Sequence, residues 1–196
     1  TINYYDEFGT IYMSGKDVNG NDQLDENSNE PISITKTIIE KIDNVYYLTS
    51  KNRVLLDNDG ENYTENITRN RLNNLASNIA SEIIEIDSLG NSKTQITKIE
   101  PELKKTTIET TYSDSECKEI LTSINGHITS IRSKNNILSL FEYDPIGRLR
   151  ASVDPRTGRT EYQYHQEGIG AKGKLSAIKY PDGNSTTFFY AQDSGK

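Results

Sequence analysis

Apolar and polar residues alternate along most of this chain. In "LSLFEYD" Leu138 and Leu140 fall on one side, and Phe141 and Tyr143 on the other. "RLRASVD" sets Leu149, Ala151 and Val153 against Arg148, Arg150 and Ser152. "TEYQYH" brings Tyr162 and Tyr164 to one face, and "KLSAIKY" and "STTFFY" keep the same period. A period of two predicts half-buried β-strands. Upstream, "SKTQITKIE" and "KKTTIETTY" read as two Thr-rich strands joined through the short "PEL" at 101–103. "SITKTIIEKI" and "NVYYLTS" pair around Asp43 and Asn44 as another hairpin. One stretch departs from the rule. "TRNRLNNLASNIASEII" spaces Leu72, Leu75, Ala76, Ile79 and Ile83 as on a helix, with Thr68 as its N-cap. The expectation there is one short helix near 69–83, or a loop followed by a strand, since Asn73, Asn74 and Asn78 oppose a helix.

Turn signals punctuate these runs. Asp-x-x-Gly occurs at Asp6 to Gly9, Asp57 to Gly60, Asp87 to Gly90 and Asp144 to Gly147. Asp154 to Gly158 is one residue longer, and Pro181-Asp182-Gly183-Asn184 is a variant. In each, Asp accepts backbone N–H bonds, Gly takes the positive-φ position, and Pro, where present, presets φ. The predicted fold is all-β: antiparallel hairpins forming a curved, open sheet, a partial shell. It is read as one region, 1–196. Residues 1–67 hold N-terminal hairpins and an Asp/Asn-rich loop, 68–137 divergent hairpins, and 138–196 the clearest repeats.

Composition agrees with a thin core. Of 196 residues, 33% are hydrophobic, against roughly 45–50% in ordinary globular domains on a count that includes Gly. Twelve Tyr against four Phe and no Trp favour rings that pack while their hydroxyls stay wet. A net charge of −7 argues against nucleic acid, which needs a basic face. No apolar run is long enough to cross a bilayer as a helix. The chain opens without Met and closes on "AQDSGK" just after a strand pattern, so it reads as a piece of a longer polypeptide.

Within "EYDPIGRL", Tyr143, Asp144, Gly147, Arg148 and Leu149 match the motif that names the YD-repeat, or RHS-repeat, family. "VDPRTGRTEYQY", with Asp154 and Gly158, resembles the segment that follows it there. "IKYPDGNSTTFFY", "YYDEFGTIYMSG" and "EIDSLGNSKTQI" resemble further, looser units, so the likeness spreads over most of the chain. The resemblance implies a secreted or cell-surface scaffold whose hairpins continue one another. In long members the sheet closes into a shell around a C-terminal toxin or other cargo, and some members serve cell–cell contact. The self-cleaving segment that ends such shells has no counterpart in this sequence. The partners implied are neighbouring repeats of the same polypeptide and a C-terminal cargo domain. An isolated fragment would offer unpaired edge strands, with an edge-to-edge homodimer as the expectation.

Candidate chemistry is sparse. "DVNGNDQLDEN" places Asp17, Asn19, Asn21, Gln23 and Asp25 at alternate positions, as in a calcium loop. Position 6 is Asp22 where such loops have Gly, and position 12 is Ser28, so Glu26 or Glu30 must supply the last carboxylate. The bland alternative is a polar hairpin tip. "LLDNDGENYTEN" alternates Asp57, Asp59 and Glu61 but is short and reads as a turn. Cys117 is alone, and His127 and His165 sit in no nucleophile signature, so no enzyme is expected. No acidic pair stands out as a glycosidase couple. Tyr162, Tyr164, Tyr180 and Tyr190 could stack on sugars, but their alternation reads first as packing. Sequons lie at Asn62, Asn66 and Asn184. The reading is a non-enzymatic scaffold segment, with a calcium-stiffened adhesive or carbohydrate-binding module as the alternative.

Overall fold

A computed structural model describes residues 1–25, 30–55, 63–72, 79–167 and 171–190, and leaves the side chain of Cys117 undescribed. The described chain is all-β and antiparallel. Its strands are β1 (Ile2–Tyr5), β2 (Ile11–Gly15), β3 (Ile32–Ile42), β4 (Val45–Leu55), β5 (Tyr63–Arg71), β6 (Ile79–Ile86), β7 (Ser92–Glu100) and β8 (Lys105–Tyr112). They continue as β9 (Ser115–Ile124), β10 (His127–Arg132), β11 (Leu138–Tyr143), β12 (Leu149–Asp154), β13 (Gly158–Tyr164), β14 (Leu175–Lys179) and β15 (Ser185–Thr187). Strand order in the sheet is chain order, without a crossover, and the sheet does not close. Most of the connections dictate this, because a turn of two to five residues can only join antiparallel neighbours.

The chain divides into two compact units: Thr1–Lys98 with Thr110–Glu116, and Ile99–Glu109 with Cys117–Lys196. This division differs from the three regions read in the sequence. In the first unit Leu24, Ile32 and Leu55 are buried, with Ile2, Tyr4, Met13 and Ile34 packed against them. The Tyr4 hydroxyl accepts the N–H of Leu24, which ties the polar loop before β3 to this cluster. In the second unit Ala151 is fully buried. Among the described residues these four and Tyr47 are the buried hydrophobics, the thin core that the composition implies.

The helix expected near 69–83 is not there. Residues up to Arg71 belong to β5 and those from Ile79 to β6, while 73–78 lie outside the described residues. Thr68 sits opposite Glu85 in a ladder instead of capping a helix. The reason is tertiary. Ile79, Ile83, Ile84 and Ile86 are β-branched and suit a pleated surface. Pairing also brings Arg71 Nη1 to 2.7 Å from Glu82 Oε2, a contact across strands that a helix would not make. The "PEL" connection is a single 3-10 turn, Pro101–Leu103, closed by Lys104 at φ 46°.

The strict alternation predicted for Leu149, Ala151 and Val153 also fails at one end. Glu142 pairs with Ala151 but Tyr143 pairs with Leu149, so Arg150 is an extra, bulged residue. Thr129 and Ser176 are bulged in the same way in β10 and β14, and Tyr12 in β2. Each lies three residues after a positive-φ glycine: Gly9, Gly126, Gly147 or Gly173. A bulge at this point adds local twist where the chain leaves a tight turn.

Candidate functional site

The repeated turn is built the same way at three places. The Oδ1 atoms of Asp6, Asp87 and Asp144 each accept two backbone N–H groups, two and four residues on. The glycine N–H of each turn donates back to the Asp carbonyl. The fourth such turn, Asp57 to Gly60, lies outside the described residues. The residue before each glycine is apolar and exposed: Phe8 83%, Leu89 86% and Ile146 75%.

Around the Asp144 turn a larger unit emerges. Tyr143 donates its hydroxyl to the carbonyl of Ile128 at 2.9 Å. Tyr164 does the same to Leu149 at 2.7 Å, and Tyr190 to Leu175 at 2.9 Å. In all three the acceptor is 15 residues earlier in the chain. The residue just before that acceptor packs on the same ring. His127 lies 4.7 Å from the Tyr143 ring, Arg148 4.2 Å from that of Tyr164, and Lys174 4.8 Å from that of Tyr190. The unit therefore runs Gly, then His, Arg or Lys, then Ile or Leu, strand, turn, strand, Tyr, over 126–143, 147–164 and 173–190. Successive units interlock. Arg148 Nη1 donates to Gly173 O, and a Cβ on Gly147 would lie 2.8 Å from His127 Nε2.

Charges in these rungs are paired within the repeat. Arg148 Nε meets Asp144 Oδ2 at 2.7 Å while its guanidinium covers Tyr164, so it serves the acid and the ring together. Burial pushes the Asp144 carboxyl up, but bonds from the Arg148 N–H and guanidinium and the Ile146 N–H outweigh it and hold the group below its usual range. Burial raises the Tyr164 hydroxyl, with Arg148 opposing. Asp154 takes the backbone N–H and guanidinium of Arg156, which hold its carboxyl at about 2, and Gly158 follows at φ 98°. Arg159 bridges both oxygens of Glu142 and one of Glu161. His165 Nε2 sits 3.2 Å from the Phe188 carbonyl with its ring edge-on to Tyr190. Among these groups no nucleophile stands beside a base.

The Asp17 loop is a second, distinct arrangement. Asp17 Oδ1 accepts the N–H of Gly20 at 2.6 Å, and Oδ2 that of Asp22 at 2.9 Å. Asp22 itself takes φ 60°, the left-handed conformation usual for Gly at that position. Asn19 Oδ1 accepts from Asn21 N, and Asn21 Oδ1 from Gln23 N. Both Asn side-chain amides donate to Asp25 Oδ2. Glu30, 4% exposed, takes the N–H of Val18 and of Asp25. Burial pushes the Asp17 carboxyl up, and bonds from the backbone N–H groups of Gly20, Asp22 and Asn21 bring it below its usual value. The five oxygen-bearing residues are thus gathered in one loop. The side-chain oxygens of Asp17, Asn19, Asn21 and Asp25 serve N–H groups, and among the described residues no three His, Cys, Asp or Glu side chains converge as a metal group. Glu26 and Ser28, and the weaker loop at Asp57, Asp59 and Glu61, lie outside the described residues.

The tyrosine rungs escaped the sequence reading, although a signal was present. Glycine precedes tyrosine by 17 positions in all three units, with a basic residue after each glycine. No family model matches the sequence, and no curated protein matches it.

Proposed function

We propose that the chain is a non-enzymatic segment of a secreted or cell-surface scaffold of YD-repeat type. It would serve as part of a shell wall around a cargo domain or as an arm in surface contact. The observation that carries this reading is the repeated rung. Each of three consecutive hairpin units is closed by the same tyrosine-to-carbonyl bond, and Arg148, which pairs with Asp144, also reaches the Gly173 carbonyl of the next unit. A module built to be continued needs an interface that recurs, and each unit of a stacked array buries its face only against its neighbours. An immunoblot of source cells and medium against this segment tests it. A band many times larger than 22.1 kDa is expected. A native band near that mass removes the scaffold reading.

A second reading has its own observation, the Asp17 loop. The left-handed Asp22 at position 6 and the two N–H groups held by Asp17 favour a weak calcium loop that stiffens the N-terminal hairpins of an adhesive module. Calcium would draw the Asp25 carboxylate and the Asn19 and Asn21 carbonyl oxygens inward. Its test is the melting temperature with and without millimolar calcium, magnesium serving as control; an unchanged value removes it.

A further inference from the structure

The first unit carries a groove of about 580 Å³ that neither reading uses. Its polar lining includes Asn66, Thr68, Asp87, Asn91, Tyr112 and Asp114. Strand register explains how they meet. Thr68 lies opposite Glu85, and Glu85 opposite Lys93. Bonds from Ser92 N to Ser113 Oγ and from Ser113 N to Ser92 O set Lys93 beside Tyr112. On the other side the row continues through Ser50 and Thr37, whose hydroxyls are 3.2 Å apart. One row of side chains therefore crosses the strands at a spacing of about 4.8 Å, close to the length of one sugar ring in an extended glycan.

The chemistry of this row selects a ligand. Glu85 and Lys93 are 3.0 Å apart and cancel each other. The lining carries three carboxylates, Glu85, Asp87 and Asp114, against one cation, Lys93, and carboxylates accept hydrogen bonds and repel anions. The Asn91 side-chain amide holds the Asp87 carboxyl below its usual range against burial, with the N–H groups of Asn91, Leu89 and Gly90 adding to the effect. Hydroxyls and amides at Thr68, Asn66 and Asn91 can both give and take. The Tyr112 ring supplies an apolar platform with a polar rim. Phosphate, sulfate and uronate are disfavoured; a neutral polyol can both give bonds to these carboxylates and exchange them with the amides and the hydroxyl. We propose that this groove is a binding subsite for a neutral, extended oligosaccharide lying across the strands. Tyr112 stacks on one sugar ring, and Asn66, Thr68, Asn91 and Asp114 bond its hydroxyls.

The 196-residue chain, isotope-labelled, is titrated by NMR with cellotetraose and with chitotetraose. At least one should give saturable shifts confined to the amides of Thr68, Asn91, Tyr112 and Asp114. Tyr112→Ala and Asn66→Ala should each weaken that binding about tenfold, and Tyr162→Ala in the second unit should leave it unchanged. Should Tyr112→Ala fail to fold, Asp114→Asn and Asn66→Gln, both at exposed positions, carry the test. The proposal is overturned by no saturable shift with either probe, by equal binding of a uronic-acid tetrasaccharide, or by full affinity in the groove variants. None of these results bears on the size of the native polypeptide, so the scaffold reading is judged separately.

Discussion

Tyr164 holds two neighbours at once. Its hydroxyl reaches the Leu149 carbonyl, and its ring carries the Arg148 guanidinium. Tyr164→Phe removes the first and keeps the second, so it should cost about 1 kcal/mol in denaturant unfolding. Tyr164→Ala removes both and leaves a void, at roughly 3 kcal/mol or more. Similar costs for the two substitutions would mean that the ring and its cation add nothing. Gly147 makes a second test. At φ +87° any side chain is strained, and a Cβ there also meets His127. Gly90 has φ +84° but open space around it. Gly90→Ala should therefore cost roughly 1–2 kcal/mol of backbone strain, and Gly147→Ala clearly more, the excess measuring the His127 contact. Titration gives a third. Asp154 titrates at about 2 in the fold against 3.8 as its ordinary value. A depressed carboxyl stabilises fully above its unfolded value, and that contribution is lost as pH falls through the folded one. Asp144 and Asp87 shift in the same direction. Melting temperature should fall between about pH 4 and 2, and Asp154→Asn should flatten that slope while lowering the neutral-pH plateau.

At the scale of strands and turns, much was legible in the sequence. Period-two runs located most of the strands, and Asp-x-x-Gly located the turns at Asp6, Asp87 and Asp144, because both signals are local. The stretch around 69–83 misled because Leu72, Ile79 and Ile83 satisfy a helical spacing by chance. Only the partner strands, through Arg71 with Glu82 and Thr68 with Glu85, decide the outcome. The bulges at Tyr12, Thr129, Arg150 and Ser176 were equally hidden, since register belongs to a pair of strands and not to one. Asp17 to Asp25 share one loop as contiguous residues do, but the amide bonds from Asn19 and Asn21 to Asp25 depend on side-chain direction, which spacing does not carry. The likeness of the turns supports a transplant. The Asp87 turn repeats the bonds of the Asp144 turn, where Pro145 follows the Asp. Ser88→Pro should fit the same backbone and raise stability by about 0.5 kcal/mol through the unfolded state. A loss of stability would show that the two turns differ in φ at that residue.

For the molecule as a whole, the open order from β1 to β15 leaves two strands with one neighbour each among the described residues. At the first edge, Tyr5 is 57% exposed and Phe8 83%, and neither proline nor a charged residue interrupts Ile2–Tyr5. At the other, Ser185–Thr187 is short, exposed and uncharged, with Phe189 88% exposed just beyond. Natural sheets normally protect such edges with charge, proline or a covering segment. An edge left bare fits a segment whose neighbours are meant to be further hairpins, and in isolation a second copy is the nearest substitute. Sedimentation of the isolated chain should accordingly show self-association that rises with concentration. Tyr4 packs inward, so Asn3→Lys and Thr186→Lys charge the two edges without touching the Leu24 cluster. If each edge pairs with its own kind, either substitution alone should leave dimers through the untouched edge, and the two together should give monomer. If β1 of one copy pairs with β15 of the next, either substitution should suppress association by itself. A chain that stays monomeric at every concentration, with its melting temperature unchanged by both substitutions, would show that these edges are capped from within, and the case for a continuing sheet would then rest on the tyrosine rungs alone.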